Sequence, residues 1–224
     1  NRRPLLLPGP GLPRLPQIDR VRADLREYCE LLAGETELGA DGNDLVLSGN
    51  YAYVATHDDS KELMVIRLSD YAVVNSANLQ GSHDATSVVI SGTTAYIGRK
   101  RSGSEPEFYS LNISSPEGSI TTNGSVDFGD DKNVVDLALS GNTAYVGTER
   151  DSGDQDEIVA IINTLNNTLT GWIDFHDSEN SKSQAIAMQG SYIYVGSSHS
   201  TETLQVVRGN ESGTYASTGT FTSS

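Results

Sequence analysis

The chain has 224 residues, enough for one domain or a domain and a half, and its 15 basic against 30 acidic side chains leave a formal charge of −15. A field of that sign repels phosphate backbones, which excludes nucleic acid as a partner, and no run approaches the roughly eighteen apolar residues of a span, so no membrane insertion is read within this segment. A single cysteine, Cys29, excludes an internal disulfide, while 22 glycines with abundant Ser and Thr at 36% hydrophobic content point to short strands and turns.

Asn1 stands where Met would open a nascent chain, so the expectation is a start removed by processing or truncation, and no signal peptide is legible. Pro4, Pro8, Pro10, Pro13 and Pro16 crowd the first sixteen residues beside Arg2, Arg3 and Arg14. Proline fixes φ and lacks an amide donor, so residues 1–17 are expected to form an extended linker. Residues 18–40 read as an amphipathic helix and connector, with Ile18, Val21, Leu25, Tyr28 and Leu32 at helical spacing and Gly34 as a stop. Two placements stay open for that helix: lying on the main domain, or ending a longer membrane or pilin-type helix. Cys29 on it reads as a small buried hydrophobe. Residues 1–40 carry six Arg and six Asp or Glu, so the whole excess of acid belongs to residues 41–224, which puts a domain boundary near residue 40.

From residue 44 the chain repeats itself. The segments DLVLSGNYAYVAT, SVVISGTTAYIGR, DLALSGNTAYVGT and AIAMQGSYIYVGS stack on Gly49, Gly92, Gly141 and Gly190, with Tyr53, Tyr96, Tyr145 and Tyr194 at a common offset. Each is an apolar strand, a tight turn and an alternating strand. A third strand follows in each unit, introduced by Glu62, Glu107, Glu157 or Glu202, and then a weaker polar fourth. Four antiparallel strands in a period of 43 to 49 residues predict an all-β protein, a β-propeller of four blades at about 44–79, 86–127, 134–175 and 184–221. An apolar first strand and a polar last one fit an inner strand at the axis and an outer strand in water. A β-sandwich would explain the alternation without explaining the shared register.

The run SGN-x-AYV at Ser48–Val54 and Ser140–Val146, followed by a strand such as ELMVIRLSD, resembles the LVIVD repeat of secreted and surface-attached prokaryotic propellers, and Leu111-Asn112-Ile113-Ser114-Ser115-Pro116 matches its strand-and-turn pattern most closely. The resemblance covers about residues 44–221; the fourth repeat departs from it at Gln189 and Ile193. It implies an extracellular or envelope-attached protein engaged in binding or adhesion, and supplies no catalytic residue. Four blades either close a ring or belong to a larger one whose remaining blades lie outside this chain, and the second is favoured because family members usually carry more.

Loops after the second and fourth strands of each blade open on one face, which collects the candidate binding residues His57, Asp58, His83, Asp84, Arg99, Arg101, Asp130, Asp131, His176, Asp177 and His199. All four histidines fall there. Arg99, Lys100 and Arg101 form the only basic cluster of the acidic part; it reads as a solvated loop able to dock a carboxylate. Asp151, Asp154 and Asp156 offer alternating carboxylates to Ca²⁺, without the glycine and distal Glu of an EF-hand, and no other cofactor is implied. A solvated acidic face is the default expectation. No G-x-S-x-G elbow is present, and Trp172 reads as packing between blades. Sequons at Asn112, Asn123, Asn166 and Asn210 accord with chance in so Asn-, Ser- and Thr-rich a chain. The leading functional expectation is a non-catalytic propeller that binds a protein or glycan through its loop face; the alternative is a hydrolase or lyase with carboxylates or histidines at the axis.

Overall fold

The computed structural model describes residues 34–100, 104–129, 132–150, 159–173, 182–198, 202–209 and 215–222. The expected leader and helix, before residue 34, lie outside the described residues. Thr36–Ser224 forms a compact unit of sixteen strands. Blade 1 holds β1 (Gly42–Ser48), β2 (Tyr51–Thr56), β3 (Leu63–Arg67) and β4 (Ala72–Ala77). Blade 2 holds β5 (Ala85–Ser91), β6 (Thr94–Arg99), β7 (Phe108–Asn112) and β8 (Thr121–Val126). In blade 3 the strands are β9 (Lys132–Ser140), β10 (Thr143–Arg150), β11 (Val159–Asn163) and β12 (Thr168–Ile173), and in blade 4 they are β13 (Ser183–Gln189), β14 (Tyr192–Ser197), β15 (Glu202–Gly209) and β16 (Tyr215–Thr222). Every blade is a four-stranded antiparallel meander in chain order.

The repeating turn has a simple cause. Ser48 pairs with Tyr51 across only two residues, and Gly49 takes the first of those places at φ 57°, as Gly92, Gly141 and Gly190 do in their own turns at 56° to 59°. The second turn residue keeps an ordinary φ, the II′ pattern whose twist matches that of the flanking strands. The four repeat tyrosines then fall on equivalent rungs of the second strands.

The first strands β1, β5, β9 and β13 line up in succession, β1 beside β5, β5 beside β9 and β9 beside β13. Burial peaks on the second and third strands rather than on the first. First-strand side chains stay partly exposed, whereas the middle strands of blades 2 and 3 lie between two neighbouring sheets. Each first strand carries a bulge in its lower half, at Asn43, Thr86, Val135 and Gln184, and each fourth strand carries another, at Val74, Asn123, Thr170 and Thr218. Bulges of this kind raise the local twist, which lets flat hairpins stack face to face around an axis.

Three apolar seams hold the blades together. Tyr53, Ala55 and Val65 of blade 1 meet Val88, Ile97 and Leu111 of blade 2. Tyr96 and Phe108 of blade 2 meet Leu137, Val146 and Ile162 of blade 3, and Trp172 lies edge-on to Phe128 at 5.6 Å in the same seam, under the Lys132 ammonium. Tyr145 and Ile161 of blade 3 meet Ile186, Val195 and Val207 of blade 4. Approach is closest at Gly98, where an added Cβ would stand 2.2 Å from Val134 Cγ1 and 2.6 Å from Ser87 Oγ. Gly98→Ala should therefore lower stability by about 1–3 kcal/mol, the usual cost of overpacking, as read by urea denaturation; an unchanged midpoint would mean that the sheets are not in this contact.

Candidate functional site

The face carrying the β2–β3 and β4–β5 loops brings three of the predicted polar residues together at the junction of blades 1 and 2. Asp84, just before β5, receives Lys100 Nζ at 2.7 Å, and its Oδ2 lies 3.7 Å from His57 Nε2. Backbone bonds fix the same geometry: the Lys100 amide donates to the Asp84 carbonyl and the His57 amide to the Asp41 carbonyl, each at 3.0 Å. His57 and Lys100 remain exposed above this frame. His83 is exposed on the adjoining loop. Asp58 is turned to local work, its Oδ1 accepting from the Ser60 amide and hydroxyl at 2.9 and 2.6 Å, and those bonds hold its carboxyl below the usual range.

Beneath the loops lies a buried polar layer. Arg99, expected in a solvated loop, instead ends β6 fully buried, so it does not reach a partner from the loop face; this corrects the basic-cluster reading. The reason is register. Counted from the turn glycine, Arg99 occupies the position of Thr56, Thr148 and Ser197, all buried, of which Thr56 and Ser197 also end their second strands. Its Nη1 donates to the Gln80 carbonyl and its guanidinium sits 5.5 Å from the centroid of the Tyr109 ring. Glu62 and Glu107 open the third strands of their blades, and both are buried. Glu62 Oε2 accepts from the Leu79 amide at 2.9 Å and Glu107 Oε2 from the Phe128 amide at 2.8 Å. Each carboxylate thus ties the start of its third strand to the exit of its fourth. This role was visible in sequence only as an acidic residue recurring before each third strand; Glu157 and the Glu202 side chain lie outside the described residues.

At the axis, Asp44 of β1 and Asp136 of β9 are each bound by two amides. Asp44 accepts from Leu45 and Val88, both at 2.8 Å, and Asp136 from Leu137 at 2.8 Å and Ile186 at 2.7 Å. Burial pushes the Asp136 carboxyl up. On the opposite face, the Ser114-Ser115-Pro116 turn docks onto blade 1. Asn75 Nδ2 donates to the carbonyls of Pro116 and Gly118, while Glu117 accepts from Arg67 and from the Tyr51 hydroxyl, each at 2.9 Å. No group of three or more His, Cys, Asp or Glu is placed to hold a metal among the described residues. The candidates Arg101, Asp130, Asp131, His176, Asp177 and His199, and the calcium candidates Asp151, Asp154 and Asp156, lie outside them.

Burial drives the Glu107 carboxyl from its ordinary 4.5 up to about 7, with the Asp127 charge acting in the same direction. The folded chain then keeps this proton to higher pH than the unfolded chain does, so the contribution to stability is complete below about 4.5 and is lost as pH rises through about 7. The difference amounts to up to about 3 kcal/mol. Glu107→Gln keeps an oxygen for the Phe128 amide and removes the titration. Urea denaturation from about pH 5 to pH 8 should show a flatter profile for the variant than for the parent, and parallel profiles would refute the assignment.

A family model, the LVIVD repeat, matches residues 39–76. No curated protein matches the sequence. Among solved structures, the computationally designed Ika4 protein aligns over 85% of this chain and 95% of its own, at 17% identity and a TM-score of 0.52. A putative 6-phosphogluconolactonase from Bacteroides uniformis aligns over 80% of this chain and 54% of its own, at 17% identity and a TM-score of 0.64. BamB from Moraxella catarrhalis aligns over 80% and 50% respectively, at 15% identity and a TM-score of 0.54. The chain spans about half the length of these two natural proteins, and the likeness at such identities is one of fold. Four repeating meanders stacked through equivalent seams give the chain a β-propeller fold, and its first blade carries the match to the LVIVD repeat.

Proposed function

We propose that the chain is a binding propeller, secreted or attached to the cell envelope, that engages a protein or glycan through the loop face over blades 1 and 2. The observation that carries this reading is the exposed His57–Asp84–Lys100 group, contributed by two blades and held by backbone bonds above the buried Arg99 layer. Polar groups fixed on a rigid base lose little freedom on binding, which favours recognition. Asp44 and Asp136, the carboxylates of the first strands, have both oxygens occupied by backbone amides and act as struts, which favours binding over acid–base chemistry there. Placement in the envelope rests on the LVIVD resemblance.

Glycan arrays and capture from envelope extracts, followed by titration of the isolated partner, test the reading. A combined His57→Ala and Lys100→Ala variant should bind about tenfold more weakly, or about 1.4 kcal/mol, with an unchanged thermal midpoint, and the loss should shrink as salt rises because rim charges act through long-range attraction. Equal affinity for parent and variant would move the site elsewhere.

The net charge of −15 gives a second test. Screening of a solvated acidic surface acts over a Debye length of about 10 Å at 0.1 M salt and does not tell Ca²⁺ from Mg²⁺, whereas a coordination site does. Both ions should raise the melting temperature to a similar degree without a saturable step. A stoichiometric Ca²⁺ isotherm in calorimetry, absent with Mg²⁺ and abolished by Asp154→Asn with Asp156→Asn, would install a calcium site instead.

A further inference from the structure

Of the four sequons in the sequence, those at Asn112, Asn123 and Asn166 fall among the described residues. Their number carries no weight, but their placement separates them. Asn112 ends β7 half-buried, and its Oδ1 accepts from the Ser114 amide at 2.9 Å. The residue between them, Ile113, is buried in the seam of blades 1 and 2, and its amide donates to the Thr93 carbonyl. Asn123 is exposed but lies inside the outer strand β8, at its bulge, and the next residue, Gly124, stands so close to the Asn167 side chain that an added Cβ would come within 2.3 Å of it. Opening either segment would cost ladder bonds or seam packing.

Asn166 is placed differently, and its sequon is the only one of the four that ends in Thr. β11 and β12 close their hairpin at the Asn163–Thr168 pair, so Thr164, Leu165, Asn166 and Asn167 form the turn. Its base is fixed: the Thr164 amide donates to the Asn142 carbonyl at 2.9 Å and the Leu165 amide to Asn163 Oδ1 at 3.0 Å. Asn167 takes φ 52°, a left-handed conformation that Asn adopts more readily than most residues, and lays its side chain against Gly124 of blade 2. The middle residue of the sequon is thus held against the neighbouring blade. Asn166 and Thr168 on either side of it are both exposed, and the Thr168 hydroxyl donates to Asn166 Oδ1 at 2.6 Å. Asn166 Nδ2 donates to no described residue. Leu165 beside it is 74% exposed, the most exposed large apolar side chain among the described residues.

We propose that Asn166 is the acceptor of an N-linked glycan, transferred outside the cytoplasm from a sugar carried on a polyprenyl phosphate; this rests on the secreted or envelope-attached location given under the proposed function. In the transfer, Asn166 Nδ2 forms a bond to the anomeric carbon and the bond from that carbon to the lipid phosphate oxygen breaks. The lipid phosphate leaves with the electron pair, and the amide gives up one proton, with nothing oxidised or reduced. The β11–β12 turn lies on the face opposite the His57–Asp84–Lys100 group, as the equivalent β7–β8 turn does. A glycan there covers Leu165 with polar bulk and leaves the binding face open.

Trypsin cuts after Arg101, Lys132, Arg150 and Lys182, so Asn166 falls on one peptide, residues 151–182, and Asn112 with Asn123 on another, residues 102–132. Mass mapping of the full chain purified from the exterior fraction of the cells that make it should show sugar on 151–182, with fragment ions placing it on Asn166, and none on 102–132. Asn166→Gln and Thr168→Ala should each abolish the added mass, while Thr168→Ser should retain it. A chain recovered from the exterior with 151–182 unmodified, or with its sugar on 102–132, would overturn the proposal and leave the location standing. A chain confined to the cytoplasm would overturn the location and this proposal with it.

Discussion

Close approach of one four-stranded sheet to the next, at Gly98 against Val134 and at Gly147 against Ser183 and Ile186, is the contact on which the architecture depends. A single meander has two apolar faces and too few residues to bury either, so blade stability is a property of pairs. The repeat supplies both halves of each pair: a tyrosine face that reaches forward and an aliphatic face that receives it. Bulges at the same rungs of the first and fourth strands give every blade a similar irregularity, which keeps successive seams alike. The inner carboxylates Asp44 and Asp136 add a polar counterpart, each binding amides of two neighbouring first strands.

The loop face rests on a less uniform layer. Where other blades carry a small buried hydroxyl seven residues after the turn glycine, blade 2 places Arg99, and the position beneath it holds Tyr109, whose counterparts are Met64, Ala160 and Gln205. Burying a guanidinium is costly unless charge and hydrogen bonds compensate it. Here the Gln80 carbonyl, the Tyr109 ring and the charges of Glu62 and Glu107 do so in part. Arg99 Nε and Nη2 and the second oxygens of both glutamates reach no protein partner, the kind of buried group that internal water normally satisfies. Blades 1 and 2 are thus joined by a buried polar cluster next to the His57–Asp84–Lys100 group, a difference in kind from the apolar seams.

Periodicity made the blades legible from sequence: the turn glycines, the tyrosine offset and the acidic residue before each third strand are local signals repeated four times, and repetition turns a weak signal into a register. The same counting places Arg99 with Thr56, but a run of three basic residues reads as surface until the strand is known to extend through the first of them. Asp44 and Asp136 were equally hidden, because their partners Val88 and Ile186 lie 44 and 50 residues away and are backbone groups without any side-chain signature. Local sequence determined the turns, the strands and the order of the four sheets, since each depends on φ preference and alternation within a few residues. Only the tertiary structure decided which charges are buried and which carboxylates serve as struts, because those depend on how far one sheet stands from the next.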